Sequence, residues 1–312
     1  MDKHYPVDMS VWQGRQDPED GELARRWHDN VLPWQEDAAP GVALVGFACD
    51  EGVRRNKGRV GAAAAPQAIR KLLANSAWHL NQPVYDSGDL ACEDGDLDVA
   101  HDRLAERVAR LLGEGHFPLV LGGGHEVAFG SWSGLNRHLA QQGRVGIINL
   151  DAHFDLRMKG EQASSGTPFF QIAEQCAAQG SAFHYACLGV AETANTAALF
   201  ARAQTLGVWH VLDEAMTQSD LPTLLNGLDA FIARCDHLYL TIDLDVLPGA
   251  VMPGVSAPAA RGVELAVIEP LIAHIRASGK LRLADLAEYN PSLDQDNRSA
   301  RVAARLIHQL TK

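Results

Sequence analysis

Val145-Gly-Ile-Ile-Asn-Leu-Asp151-Ala-His153-Phe-Asp155 is an apolar strand that stops abruptly in D-x-H-x-D. A strand apolar on both faces is buried on both faces, and that environment is a parallel sheet covered by helices above and below. The same kind of run recurs along the chain. Strands are expected at Val42–Ala48, Pro118–Leu121, Val145–Asp151, Phe183–Gly189, Gly207–Leu212, His237–Val246 and Leu281–Glu288. Helical patterns separate them, at Ala65–Ala74, Asp98–Glu114, Pro168–Ala178, Asn195–Gln204, Leu221–Cys235, Glu264–Ala277 and Asn297–Leu310. Leu104, Val108 and Leu111 mark the apolar flank of the second helix, with Arg103, Arg107 and Arg110 on another. Alternating strands and helices predict an α/β fold, a three-layer αβα arrangement around a mainly parallel central sheet. No repeat or Pro/Gly-rich linker divides the chain, so residues 41–312 are read as one domain. Residues 1–40, polar and dotted with Trp, are read as an N-terminal extension packed on it.

In such sheets, sites form beyond the carboxyl ends of the strands, and three expected strands end in unusual chemistry. In the first, alternate residues of an extended chain share a face, so Asp151, His153 and Asp155 can converge. Carboxylates that converge repel unless a cation sits between them. The second is the strand His237-Leu-Tyr-Leu-Thr-Ile-Asp243-Leu-Asp245, which ends in D-x-D; by itself this is also what a strand-end cap looks like. The third is Pro118-Leu-Val-Leu-Gly-Gly-Gly-His125-Glu126. Its glycines permit a sharp turn and close approach, and a lone histidine there is more often than not a structural residue. Neither G-x-G-x-x-G nor a P-loop is present. Together the three ends offer two His and four Asp, a full ligand set for two divalent cations, and four aspartates balance two dications. A carboxylate-rich set with some imidazole and no thiolate favours Mn²⁺-type sites. Two metals roughly 3.5–4 Å apart activate one bridging water as a nucleophile.

At these residues the sequence resembles the ureohydrolase family of arginase, agmatinase and formimidoylglutamase. The resemblance covers most of the chain after about residue 41 and rests on GGGH, DAHFD, TIDLDVLPGAVMPGVSAP and the later D-x-x-E-x-N-P of Asp285 to Pro291, in that order. It implies an arginase-like fold, two Mn²⁺ per subunit and C–N hydrolysis by a metal-bridging hydroxide. By the same resemblance His125, Asp151, His153, Asp155, Asp243 and Asp245 match the metal ligands. Glu288 matches the carboxylate that pairs with a cationic amidine or guanidine. Two departures select a branch. Arginases usually read GGDHS where this chain has Gly124-His125-Glu126, and agmatinases usually carry a His where Ser165 stands in SSGTPF. GGGHE, SSGTPF and the early GFACDEGVRRNKGR of Gly46 to Arg59 look like formimidoylglutamase. That branch implies N-formimidoyl-L-glutamate as substrate, glutamate and formamide as products, and a place in histidine degradation. A guanidino substrate, as in guanidinobutyrase, agmatinase or arginase, is the alternative.

An amidinium carbon needs a strong nucleophile at neutral pH, which a metal-activated water supplies. Asp155 or Asp245 can accept a proton as the adduct forms. Ser165 either holds a water for the leaving group or serves only as a helix N-cap or turn residue. The substrate's carboxylates call for cations. Arg157 is the foremost candidate, its fork suiting a bidentate carboxylate, against the plain reading of a solvated arginine. Arg54, Arg55, Asn56 and Arg59 form the densest basic cluster, open to either solvation or substrate attraction. Asn195 is a further pocket candidate or an ordinary loop residue.

Composition bounds the rest. The chain has 312 residues, 46% of them hydrophobic, which supports a sizeable core and excludes disorder. Lys and Arg number 27 against 39 Asp and Glu, a net charge of −12, and no basic run appears. Nucleic acid and acidic membrane surfaces are therefore not expected as partners. No apolar stretch reaches the roughly 18 residues of a membrane span, and the first 35 residues lack a signal-peptide core. Five scattered cysteines without C-x-x-C read as reduced thiols, hence a cytoplasmic protein. The expected partner is a small-molecule amidine, and a homo-oligomer is expected.

Overall fold

The computed structural model describes residues 7–92 and 94–312; the first six residues of the expected extension lie outside them. Among the described residues the nine strands are β1 (Leu32–Pro33), β2 (Val42–Ala48), β3 (Val84–Ala91), β4 (Phe117–Leu121), β5 (Val145–Leu150), β6 (His184–Val190), β7 (Trp209–Leu212), β8 (His237–Asp243) and β9 (Leu281–Ala287). They form one sheet in the order β1-β3-β2-β4-β9-β8-β5-β6-β7, and every neighbouring pair is parallel. The helices are α1 (Glu51–Arg55), α2 (Ala65–Leu73), α3 (Leu97–Gly113), α4 (Val127–Leu139), α5 (Pro168–Gln179), α6 (Ala197–Thr205), α7 (Leu221–Ile232), α8 (Leu265–Ala277) and α9 (Arg298–Thr311).

The period of two along each strand builds the layers. Val42 and Leu44 of β2 face a core made with Ile69 of α2, Leu228 of α7, Ile268 of α8 and Leu306 of α9. Ala43, Val45 and Phe47 point the other way, to Leu104 of α3, Leu135 of α4, Ile172 of α5 and Leu199 of α6. This is the expected three-layer αβα sandwich.

Four elements escaped the sequence reading: β1, β3, α1 and α4. Strand β3 reads VYDSGDLA, and its acidic residues disguise it. They are neutralised inside: the Arg70 guanidinium donates to Asp86 at 2.9 Å and to Asp89 at 2.5 Å, and Trp12 Nε1 donates to Asp86 at 2.7 Å. Helix α4 reads VAFGSWSGLNRHL, which carries no clean apolar stripe. Its glycines set a close helix contact. A Cβ on Gly134 would stand 2.6 Å from Val108 Cβ, and one on Gly130 would stand 2.9 Å from Leu104 Cδ2. The segment before residue 41 also belongs to the architecture. β1 extends the sheet beside β3, and Trp12, Trp27 and Val31 join the core under α2 and α9. It covers a sheet edge that would otherwise offer unpaired N–H and C=O groups.

Candidate metal centre and substrate cavity

Four adjacent central strands, β4, β9, β8 and β5, deliver the chemistry at their carboxyl ends. The loop after β4 carries His125. Its three glycines have no positive φ, so close approach rather than a special turn explains them. A Cβ on Gly122 would meet Leu286 O at 2.5 Å, one on Gly123 would fall on Cys49 O, and one on Gly124 on the Glu126 carboxylate and Val53. The backbone is pressed between β2 and β9 and bound there: Gly124 N donates to Cys49 O (3.0 Å), and Glu288 N donates to Gly123 O (2.8 Å).

The aspartates converge by a different route from the extended alternation expected. Strand β5 ends at Leu150 and β8 at Asp243, because the aspartates cap the turns that follow. Asp151 Oδ1 accepts from His153 N at 2.6 Å, and Asp243 Oδ1 accepts from Asp245 N at 2.9 Å. Asp155 sits in the left-handed region (φ 47°), as does Glu288 (φ 67°). A side chain is disfavoured there, and such strain collects at functional sites.

All six expected ligands meet in two groups that share Asp151: His125, Asp151, Asp155 and Asp243 in one, Asp151, His153 and Asp245 in the other. His125 Nδ1 lies 3.1 Å from Asp151 Oδ2, 2.9 Å from Asp155 Oδ2 and 3.1 Å from Asp243 Oδ2. His153 Nδ1 lies 3.0 Å from Asp245 Oδ2 and 3.6 Å from Asp151 Oδ1. His125 Nδ1 is buried and makes no well-directed hydrogen bond. A ring nitrogen and three carboxylate oxygens aimed at one point, without hydrogen-bond geometry, suit a cation, and the donors are those of a hard divalent metal. Burial pushes Asp243 well above the ordinary carboxylate range, and Asp245 and Asp151 push it further. Burial and Asp151 likewise raise Asp155. Positive charge between them would relieve both.

A second layer orients the ligands. His125 Nε2 is 3.0 Å from Thr241 Oγ1, which leaves Nδ1 its lone pair for the centre. Asn149 Nδ2 donates to Asp151 Oδ2 at 2.8 Å. Thr241 and Asn149 passed unnoticed in the sequence; each is the lone polar residue inside an apolar strand, two positions before an aspartate.

His153, Asp155, Asp243 and Asp245 of these groups line a cavity of about 430 Å³, together with Glu288, Arg157, Ser165, Asn195 and Lys57. Glu288 Oε1 accepts from His125 N at 2.9 Å, and burial beside Glu126 raises its carboxyl to about 8. Its other oxygen has no protein partner among the described residues. Ser165 is nearly buried, and its Oγ accepts from Asn56 Nδ2 at 3.2 Å. It lies in a turn and is not a helix cap; Thr167 takes that place before α5. Arg157 is exposed, makes no side-chain hydrogen bond or ion pair among the described residues, and lies over Gly166, where a Cβ would be 2.9 Å from its Cδ. Asn195 lines the cavity, yet its amide holds the ligand loop: Oδ1 accepts from Phe154 N, and Nδ2 donates to Ala152 O and Ala191 O. Both its N–H donors are thereby taken. The basic cluster is also largely tied up. Arg54 and Arg55 pair with Glu51, and Arg59 donates to Ser256 O and Val255 O. Asn290 of the D-x-x-E-x-N-P motif is a staple: Nδ2 donates to Arg59 O and Val60 O.

Among the described residues no helix is long and apolar enough to cross a membrane. A model of the Arginase family matches residues 40–312. The formimidoylglutamase of Aeromonas hydrophila subsp. hydrophila is 87% identical over 100% of both chains. That of Chromobacterium violaceum is 56% identical over 98% of each. The crystal structure of formimidoylglutamase from Bacillus subtilis subsp. subtilis matches with a TM-score of 0.84 over 96% of this chain and 93% of that one; at 23% identity this is a likeness of fold. The structure of Trypanosoma cruzi formiminoglutamase with Mn²⁺ matches with a TM-score of 0.77 and 26% identity over 87% of this chain and 92% of that one.

Proposed function

The chain belongs to the arginase family, and from that membership we propose that it hydrolyses the C–N bond of a linear amidine, converting N-formimidoyl-L-glutamate and water to L-glutamate and formamide. The observation that carries the reading is the pair of ligand groups sharing Asp151, members of which line a cavity together with Glu288 and Arg157. His125, Asp151, Asp155 and Asp243 would hold one Mn²⁺, and Asp151, His153 and Asp245 the other. When bound, the pair supplies a strong nucleophile from water at neutral pH.

The chain's own residues do the rest. The free oxygen of Glu288 pairs with the amidinium N–H groups and turns the reacting carbon toward the aspartates. Asp155 or Asp245 takes the proton released as water attacks. The bond between that carbon and the glutamate nitrogen then breaks, and the departing amine receives the proton. Asn56 and Ser165, joined at 3.2 Å, can hold the water that relays it. Arg157 binds a carboxylate of the glutamate part. Five cysteines without a disulfide support the reducing cytoplasm as the compartment.

Chelator-treated protein is expected to lose activity and to recover it best with Mn²⁺, assayed by glutamate and formamide release, with urea release as the guanidino control. Full turnover by metal-free protein would overturn the metal reading, and urea as the main product would overturn the substrate. Arg157→Ala is expected to lower kcat/KM by about 2–4 kcal/mol of transition-state binding, with metal content unchanged. Arg157→Lys should recover only part, because a point charge does not reproduce the planar fork. An unchanged kcat/KM in Arg157→Ala would return Arg157 to the solvated surface.

A further inference from the structure

Among the described residues that line the cavity, two cationic side chains make no hydrogen bond or ion pair: Arg157 and Lys57. Lys57 directly follows the C-cap Asn56 of α1, where its N–H donates to Arg54 O at 3.0 Å. Its φ is 61°. Glycine, and at times asparagine, is the usual residue at such a helix end, because a Cβ is disfavoured in the left-handed region. A lysine there carries strain that its own backbone does not require. The loop around it is nevertheless fixed. Asp50 Oδ2 accepts from Gly61 N at 2.7 Å, Asn290 holds Arg59 O and Val60 O, and Arg59 is tied to Val255 and Ser256. Only the lysine side chain is left without a partner, at a cavity rim of fixed backbone.

The two cations flank one stretch of wall. Asn56 Nδ2 bonds Ser165 Oγ, and a Cβ on Gly166 would meet both Arg157 Cδ (2.9 Å) and Asn56 Nδ2 (3.3 Å). The loop after α1 and the loop after β5 thus come together with one unpaired cation each. The substrate proposed above carries one carboxylate on the carbon next to the reacting nitrogen and a second at the end of its side chain. We propose that Lys57 is the specificity-determining residue for the side-chain carboxylate, while Arg157, two residues from Asp155, takes the carboxylate nearer the reacting centre. This rests on the formimidoylglutamate reading and adds a second anion subsite to it.

The test compares N-formimidoyl-L-glutamate with N-formimidoyl-L-2-aminobutyrate, which keeps the amidine and the nearer carboxylate but lacks the distal one. The wild type should prefer the dicarboxylate. Lys57→Met should reduce that preference about 10- to 100-fold, the range for hydrogen bonds to a charged group. Lys57→Arg should retain part of it. Lys57→Gly, which suits the left-handed backbone, should lose the preference without lowering Tm, and that separates charge from conformation. If the wild type turns over formimidoylglutamate and folded Lys57→Met keeps the full preference, the subsite falls and the activity stands. If the wild type does not turn over formimidoylglutamate, both fall.

Discussion

Asp243→Asn is expected to lower turnover by two orders of magnitude or more and to lower the metal content of the protein. Asp243 is buried, and its Oδ2 lies 3.1 Å from His125 Nδ1, inside the first ligand group. The substitution removes one negative charge from a buried group of carboxylates and replaces a carboxylate by a poorer metal donor. A hundredfold loss corresponds to about 2.7 kcal/mol of barrier, a modest share of what metal activation supplies. Folding should survive, because an amide oxygen can still accept from Asp245 N as Oδ1 does at 2.9 Å. Asp151→Asn should be at least as severe, since Asp151 serves both groups. Metal content by atomic absorption and turnover at low Mn²⁺ are the measurements. Wild-type values of both would remove Asp243 from the ligand set.

Gly123→Ala should be severely damaging for a single added methyl. The added Cβ would fall on the carbonyl of Cys49 and stand 3.0 Å from its N, so the obstacle is backbone and not a flexible side chain. Relief requires β2 and the loop after β4 to part. That breaks the bond from Gly124 N to Cys49 O and the bond from Glu288 N to Gly123 O, and it displaces His125 and Glu288 together. Overpacking of a tight interior typically costs about 1–3 kcal/mol, and a clash with backbone belongs at or above the upper end. Tm and metal content should both fall. Gly113→Ala is the control: nothing lies within 4 Å of its Cβ position, at the end of α3. A Gly123→Ala protein with the Tm and metal content of the wild type would refute the close-packing account.

The seven strands anticipated from apolar runs are all present, and their ends were legible because charge follows apolar residues there without transition. What stayed hidden depends on partners distant in sequence. Strand β3 reads as polar until Arg70 and Trp12 are brought to Asp86. Helix α4 looks too rich in glycine until α3 fills the space its missing side chains leave. The fate of the basic cluster was not readable, since Arg59 is bound by backbone carbonyls almost two hundred positions away. The residue types of the candidate metal centre and their convergence could be read from spacing, but the route of that convergence could not. It depends on capped turns and on two left-handed residues rather than on extended alternation.

Those two residues bear on how the centre comes into being. Asp155 and Glu288 are held in a conformation that an unconstrained chain would leave. Backbone N–H groups already grip Asp151, Asp243 and Glu288, and Thr241 already sets the ring of His125. The reorganisation that a cation would otherwise have to drive is thus supplied by the nine-stranded sheet during folding. In small zinc domains the energy of metal binding is the energy of folding; here the two are expected to separate. Stripping the metal should silence the enzyme and leave its melting cooperative, so the protein can exchange ions without passing through an unfolded state.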